Sequence, residues 1–279
     1  MASSARIGQP VWLDLMTHDV EGARDFYGSL FEWEFTDQGA DFGHYHLITR
    51  GDQVVGGMMS SLMGMDGPTE EPQGPTTWSV YLRHDDIDVA LTQVPEMGGQ
   101  VVFGPMDVAD QGRQAYIMDP AGAYVGLWQP RTMAGLRVTG AAGTAVWFET
   151  LSTDFDAALP FYREVLRWGE DVVWMGPEGE EPVDGVRYVT FGAADEACAG
   201  LCDAAAFLPE DVPSFWRVYF GANDVDAAVE QAVDLGGMVL ESPMDSPYGR
   251  FAQLADPQGA IFMVNSVTAS SPDGLTEPA

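Results

Sequence analysis

The chain has 279 residues, enough for one large domain or two ordinary ones, and 46% hydrophobic residues supply ample material for buried cores. Its 43 acidic and 12 basic residues leave a net charge of −31, a surface that repels phosphate backbones and anionic lipid and argues against nucleic-acid or membrane partners. No apolar run approaches the roughly 18 residues of a membrane span, the start MASSARIGQP lacks the apolar core of a secretory signal, and Cys198 and Cys202 in CAGLC would lie too far apart along an extended strand to bridge, so reduced thiols in a cytoplasmic protein are expected.

The first element is VWLDLMT, whose alternation predicts a strand. Asp19 then stands where an N-cap would open a helix, VEGARDFYGSLF, with Val20, Ala23, Phe26, Tyr27 and Leu30 on one stripe. Three strand candidates follow: WEFTDQ, GHYHLITR and QVVGGMMS. After the loop SLMGMDGPTEEPQGP the same order recurs. TWSVYLRH reads as a strand, DIDVALTQVPEMGG as a helix with Asp86 near its cap, and VVFGPMDV, GRQAYIMD and YVGLWQP as three more strands. The unit is βαβββ, used twice.

The second half says it again. Trp147 repeats Trp12, Glu149 repeats Asp14, Asp154 repeats Asp19, and FYREVLRW repeats FYGSLFEW. After a longer loop Tyr188 repeats Tyr45. Further on, VYFGANDVDAAV matches VYLRHDDIDVAL, and PMDSPYGRFAQLADPQGA matches PMDVADQGRQAYIMDPAGA. Matches this dense and in order make an internal duplication. The expected boundaries are 8–130, a linker over 131–142, 143–267, and a disordered tail over 268–279. Gly98-Gly99 and Gly236-Gly237 read as helix ends, and DPAG and DPQG as turns between the last two strands of each half. Phe26, Tyr27, Trp33 and their copies read as anchors gripping helix to sheet.

The run FYGSLFEW after a strand and a capped helix, followed by DDIDVAL, GG, GPMDV, GR and DPAG, resembles the vicinal oxygen chelate superfamily, which includes glyoxalase I, extradiol dioxygenases and bleomycin-resistance proteins. The closest likeness is to tandem-domain actinobacterial glyoxalase-like proteins. The resemblance implies an α+β fold of two tandem domains, each of two βαβββ modules forming a U-shaped sheet around a cleft. It also implies a divalent metal in the metalloenzyme members. Carried over by position, the ligand sites fall on Trp12, Ser79 and Gly126 in the first half and on Trp147, Arg217 and Met263 in the second. None of these is a ligand for a hard or borderline cation. The expectation is therefore a chain without the metal site and with no cofactor.

The cleft-facing residues follow from alternation. If Leu13 and Leu15 pack on the helix, Trp12 and Asp14 face the first cleft, and Trp147 and Glu149 the second. A carboxylate beside a Trp in a dry pocket has a raised pKa and suits general acid or base work. The alternative is a carboxylate paired with Arg83 or Arg217 that only braces the sheet. Tyr81 and Tyr219 lie on the face of Ser79 and Arg217, as proton donors or as packing. His44 and His46 fall on one face of GHYHLITR, open to a structural or surface role, an acid/base or ligand-orienting role, or, without a carboxylate at the matching strands, a weakly supported metal role. Met58 and Met59, in a methionine-rich run that is not repeated, suit a pocket for a bulky flat ligand or an adaptable core. The two clefts are thus expected not to be equivalent. Candidate catalytic residues are Asp14, His46, Tyr81, Glu149 and Tyr219. Candidate substrate contacts are Trp12, His44, Met58, Met59, Ser79, Trp147, Arg217 and Met263.

Two functions stay open. One is a metal-independent enzyme, of lyase or isomerase type, that dehydrates, cyclises or epimerises a hydrophobic aromatic secondary metabolite. The other is a non-catalytic protein that sequesters a planar antibiotic or metabolite, as bleomycin-resistance relatives do. A metal-dependent glyoxalase or dioxygenase is opposed by the ligand positions. Either way the partner is a small aromatic molecule. The chain acts as a monomer with pseudo-twofold halves or as a homodimer.

Overall fold

The computed structural model describes residues 5–64, 67–136, 138–168, 172–174, 186–192 and 197–267. The tail expected to be disordered lies outside these. The first half runs β1 (Pro10–Thr17), α1 (Val20–Phe31), β2 (Glu34–Asp37), β3 (His46–Arg50), β4 (Gln53–Ser60), a small hairpin of β5 (Met63–Gly64) and β6 (Gly67–Pro68), β7 (Thr77–Arg83), α2 (Ile87–Glu96), β8 (Gln100–Val108), β9 (Gly112–Met118) and β10 (Tyr124–Pro130). The second half runs β11 (Ala145–Ser152), α3 (Phe155–Leu166), β12 (Val172–Trp174), β13 (Tyr188–Phe191), β14 (Ala199–Asp203), β15 (Phe215–Ala222), α4 (Val225–Asp234), β16 (Met238–Ser246), β17 (Gly249–Ala255) and β18 (Ile261–Ser266).

The four α-helices among the described residues each open on an aspartate, at Asp19 and Asp86 as the sequence predicts. Asp19, Asp86, Asp154 and Asp224 each accept a first-turn backbone N–H, at 3.0, 3.2, 3.1 and 3.1 Å, which satisfies one of the donors that a helix start leaves unpaired. Each half forms one eight-stranded sheet, ordered β2-β3-β4-β1-β7-β10-β9-β8 and β12-β13-β14-β11-β15-β18-β17-β16. In each, the first strands of the two modules, β1 with β7 and β11 with β15, pair antiparallel at the centre. One face of each sheet meets the helices. The other encloses a cleft.

The helix-facing core is continuous across both halves, running from Leu13, Phe26 and Tyr27 to Phe161, Tyr162, Phe220 and Phe262. The duplicated anchors do not grip only their own sheet. The Tyr27 hydroxyl donates to Asp256 of the DPQG turn at 3.0 Å, and the Tyr162 hydroxyl to Asp119 of the DPAG turn at 2.9 Å. Trp78 Nε1 donates to Tyr27, and Trp216 Nε1 to Tyr162, each at 2.9 Å. Trp33 Nε1 donates to the Gly143 carbonyl at 2.7 Å, and Trp168 Nε1 to the Gly8 carbonyl at 3.1 Å. The second glycine of each helix-end pair serves the same seam. A side chain on Gly99 would press on the Phe161 ring, and one on Gly237 on the Phe26 ring. The two tryptophan–tyrosine bonds lie within one half each; every other contact named here crosses from one half to the other, in two equivalent copies.

Candidate active site in the first cleft

Strand β1 places Leu13 and Leu15 in the shared core and Trp12 on the opposite face, with Tyr81 and Trp128. Across the β1–β7 pair, Tyr81 stands opposite Trp12 and Ser79 opposite Asp14, while β4 sets Gly57 beside Asp14. Asp14 is 5% exposed. Its Oδ1 accepts from Trp12 Nε1 at 2.8 Å and from the Tyr45 hydroxyl. Tyr81 makes a further side-chain hydrogen bond to it. Among the described residues no arginine pairs with this carboxylate; Arg83 pairs with Asp85 at 2.7 Å.

These partners are all neutral, so burial dominates. Removal from water pushes the Asp14 pKa up to about 6, against the lowering effect of the Tyr45, Trp12 and Tyr81 hydrogen bonds. Burial, with the Asp14 charge behind it, lifts the Tyr45 and Tyr81 phenols well above their ordinary range. The phenols therefore remain donors, and the proton that moves near neutral pH belongs to Asp14.

Two glycines make the cluster possible. A methyl on Gly57 would overlap the Tyr45 hydroxyl, and one on Gly126 would overlap the Tyr81 ring. Further out, the Ser79 and Tyr116 hydroxyls share a hydrogen bond of 2.9 Å. The Tyr81, Tyr116 and Tyr124 rings, on β7, β9 and β10 respectively, follow one another with centroids 6.2 and 6.1 Å apart.

The second cleft uses the same frame for different electrostatics. Glu149 faces Arg217 across β11–β15. The guanidinium reaches Glu149 Oε2 through Nη2 at 2.6 Å and Nε at 2.7 Å. Tyr219 donates to the same oxygen at 2.9 Å. Trp147 Nε1 donates to the Tyr188 hydroxyl at 3.0 Å, and Tyr188 lies over Gly200 as Tyr45 lies over Gly57. Met263, fully buried, stands opposite Tyr219. Cys202, beside Tyr188 on β14, is held as a thiol by burial, which raises its pKa to about 12.

The metal positions do not fit a cation. In the first half they present an indole, a hydroxyl already bonded to Tyr116, and a glycine whose side-chain space the Tyr81 ring fills. In the second they present an indole, a guanidinium and a thioether. Among the described residues no group of three or more His, Cys, Asp or Glu converges.

Three sequence-based candidates belong elsewhere. His44 precedes β3 in a left-handed conformation, φ 56°, so strand alternation does not reach it. It is exposed and bonds Asp37 at 2.9 Å. His46 pairs with Met58, and Met58 lies in the shared core. Both sit on the face of the sheet opposite Gly57 and Asp14. The neighbouring Met59 falls on the cleft face, next to Gly57 and partly buried. Tyr45, Tyr188 and Tyr116 were not among the candidates. The signal for the first two was present, since each tyrosine is duplicated together with the glycine beneath it.

Residues 9–127 match the family described as the Glyoxalase/Bleomycin resistance protein/Dioxygenase superfamily, and residues 145–265 match a glyoxalase-like domain. CFP32 of Mycobacterium tuberculosis, whose name calls it a glyoxylase provisionally, is 37% identical over 94% of this chain and 96% of its own length. The anthracycline biosynthesis protein DnrV of Streptomyces peucetius is 36% identical over 92% of each chain. The Mn(II)-bound glyoxalase of Novosphingobium aromaticivorans shares the fold, with a TM-score of 0.60 at 14% identity over 94% of this chain and 82% of that one. With two tandem domains of this architecture and these matches along nearly its whole length, the chain belongs to the glyoxalase/bleomycin resistance protein/dioxygenase superfamily.

Proposed function

We propose that the first cleft carries out metal-independent acid/base chemistry, a dehydration, cyclisation or epimerisation, on a hydrophobic aromatic secondary metabolite. One observation carries the reading: Asp14 is a buried carboxylate whose partners are all neutral, with a pKa raised to about 6, beside the positions Trp12 and Ser79 to which the family resemblance carries metal ligands. Above pH 6 it is largely ionised and serves as the base, taking a proton from a substrate O–H or C–H. Tyr45 and Tyr81 hold the carboxylate in place and stay protonated themselves. Likeness to an anthracycline biosynthesis protein supports a polycyclic aromatic polyketide as the substrate class. In the second cleft the equivalent carboxylate, Glu149, is tied to Arg217 and reads as a brace. The contacts between the halves stand in for a subunit interface and support a monomer, which sedimentation would check.

Asp14→Asn is the test. Loss of a general base lowers kcat by about 10²- to 10⁴-fold with little change in affinity. For the wild type, kcat/KM rises with pH through about 6. Sequestration without chemistry is the second reading, favoured by the low exposure of Asp14 and its three donors. In that case Asp14→Asn changes affinity alone and no substrate is turned over.

A further inference from the structure

The residues around Asp14 divide into those both halves share and those only the first half has. Trp12, Tyr45, Tyr81 and Gly57 have counterparts in Trp147, Tyr188, Tyr219 and Gly200. Ser79, Tyr116 and Tyr124 do not. Their positions are taken by Arg217, Gln253 and Ile261, as the paired registers place them. The second half builds the same sheet without these hydroxyls, so the fold does not require them.

Their placement has a direction. Tyr81 is 8% exposed beside the buried Asp14, Tyr116 is partly buried, and Tyr124 at the rim is 51% exposed. The row therefore leads from solvent to the carboxylate. Ser79 and Tyr116 share a single hydrogen bond, so one of the two hydroxyl protons remains to be donated. The polar groups named here are hydroxyls, one indole N–H and one carboxylate, with no guanidinium or ammonium among them. A ligand carrying a fixed negative charge would meet no cation among these groups, and Arg83, two residues beyond Tyr81 on β7, is already paired with Asp85, in a chain of net charge −31.

We propose that the Ser79–Tyr116 hydroxyl pair is a second polar subsite of the first cleft, which binds an oxygen of an uncharged, hydroxylated polycyclic aromatic ligand while another of its oxygens meets Asp14. The Tyr81, Tyr116 and Tyr124 side chains form the aromatic wall along which that ligand lies. This rests on the reading of the first cleft given above and adds the ligand class and the residues that select it.

The test is a binding titration of the full chain with quinizarin, a planar dihydroxyanthraquinone, followed by its visible absorbance and by quenching of protein fluorescence. Binding is expected at one equivalent per chain. Tyr116→Phe and Ser79→Ala, which remove a hydroxyl and keep the packing, should each weaken it by about three- to tenfold. Gln253→Leu, at the position equivalent to Tyr116 in the second half, should leave it unchanged. An anthraquinone bearing a carboxylate in place of the hydroxyls should bind at least about tenfold more weakly. No binding of quinizarin, equal binding of the carboxylate, or indifference to both hydroxyl deletions would each overturn the subsite. Turnover is a separate readout. Quinizarin-type binding that responds to Tyr116→Phe, with no substrate ever transformed, keeps the subsite and removes the catalytic role of Asp14. Turnover abolished by Asp14→Asn but blind to Ser79 and Tyr116 does the reverse.

Discussion

Asp14 sits at the centre of the first cleft in a costly state. An ordinary aspartate releases its proton near 3.8, and the folded one near 6. The folded chain thus holds a proton that the unfolded chain gives up. The associated stability is fully present below pH 4, is lost as pH rises to about 6, and is absent above that. The loss amounts to about 3 kcal/mol. Asp14→Asn keeps an oxygen acceptor for Trp12 and Tyr45 but carries no charge. It should therefore raise the melting temperature at pH 8 and leave it little changed at pH 4. Thermal melts at the two pH values decide the matter, and a variant that is less stable at pH 8 would show that the neutral donors already compensate the buried charge. Most of this site was legible in the sequence. Trp12, Asp14 and Tyr81 follow from alternation along two short strands. Tyr45 does not, because it belongs to a turn ahead of β3 and reaches the cleft only through the pairing of β3 with β4.

At the level of the element, the site depends on where a strand begins and on which residues leave room. The stretch GHYHLITR looks like one strand, which would put His44 and His46 together on one face. The left-handed conformation at His44 starts the strand later and sends that ring to Asp37. Chain periodicity cannot reveal such a start, because it depends on the 3₁₀ turn before it (Ala40–Phe42). The repeated glycines of β4 and β14 are a more local device. Gly57→Ala would force the Tyr45 hydroxyl away from Asp14. Overpacking of this kind costs about 1–3 kcal/mol, and activity should fall along with stability. Gly200→Ala, its counterpart under Tyr188, should show a similar stability loss and retain activity, if the first cleft alone works. Comparing denaturant midpoints and rates for the two variants separates packing from function.

Across the whole molecule, the duplication encloses a seam. The tyrosine of each FY pair bonds the aspartate of the opposite half's turn, and the core on either side is continuous. Unfolding is therefore expected to be one cooperative transition for both halves, seen as coincident curves by tryptophan fluorescence and far-ultraviolet circular dichroism. Tyr162→Phe removes the donor to buried Asp119 and the acceptor of Trp216. The unsatisfied groups should cost about 1–3 kcal/mol. The equivalent Tyr27→Phe should cost a similar amount because the geometry is the same, and a large inequality between the two would mean that the halves do not share the load evenly.

By itself the sequence determined the fold and its doubling. Alternation, aspartate caps and glycine turns act between neighbours along the chain, and their recurrence in order leaves one architecture. With the family's ligand positions carried over by resemblance, it also leads to the expectation of an indole, a hydroxyl or guanidinium, and a glycine or thioether there, since that needs only residue identity at matched places. Only the tertiary structure decided which partner each repeated residue meets. Nothing along the chain distinguishes a tyrosine that packs on its own sheet from one that bonds an aspartate more than two hundred residues away. The same holds for the two carboxylates. Asp14 and Glu149 occupy equivalent places in equivalent strands, and what separates them is the residue opposite, Ser79 or Arg217, which strand pairing brings within reach.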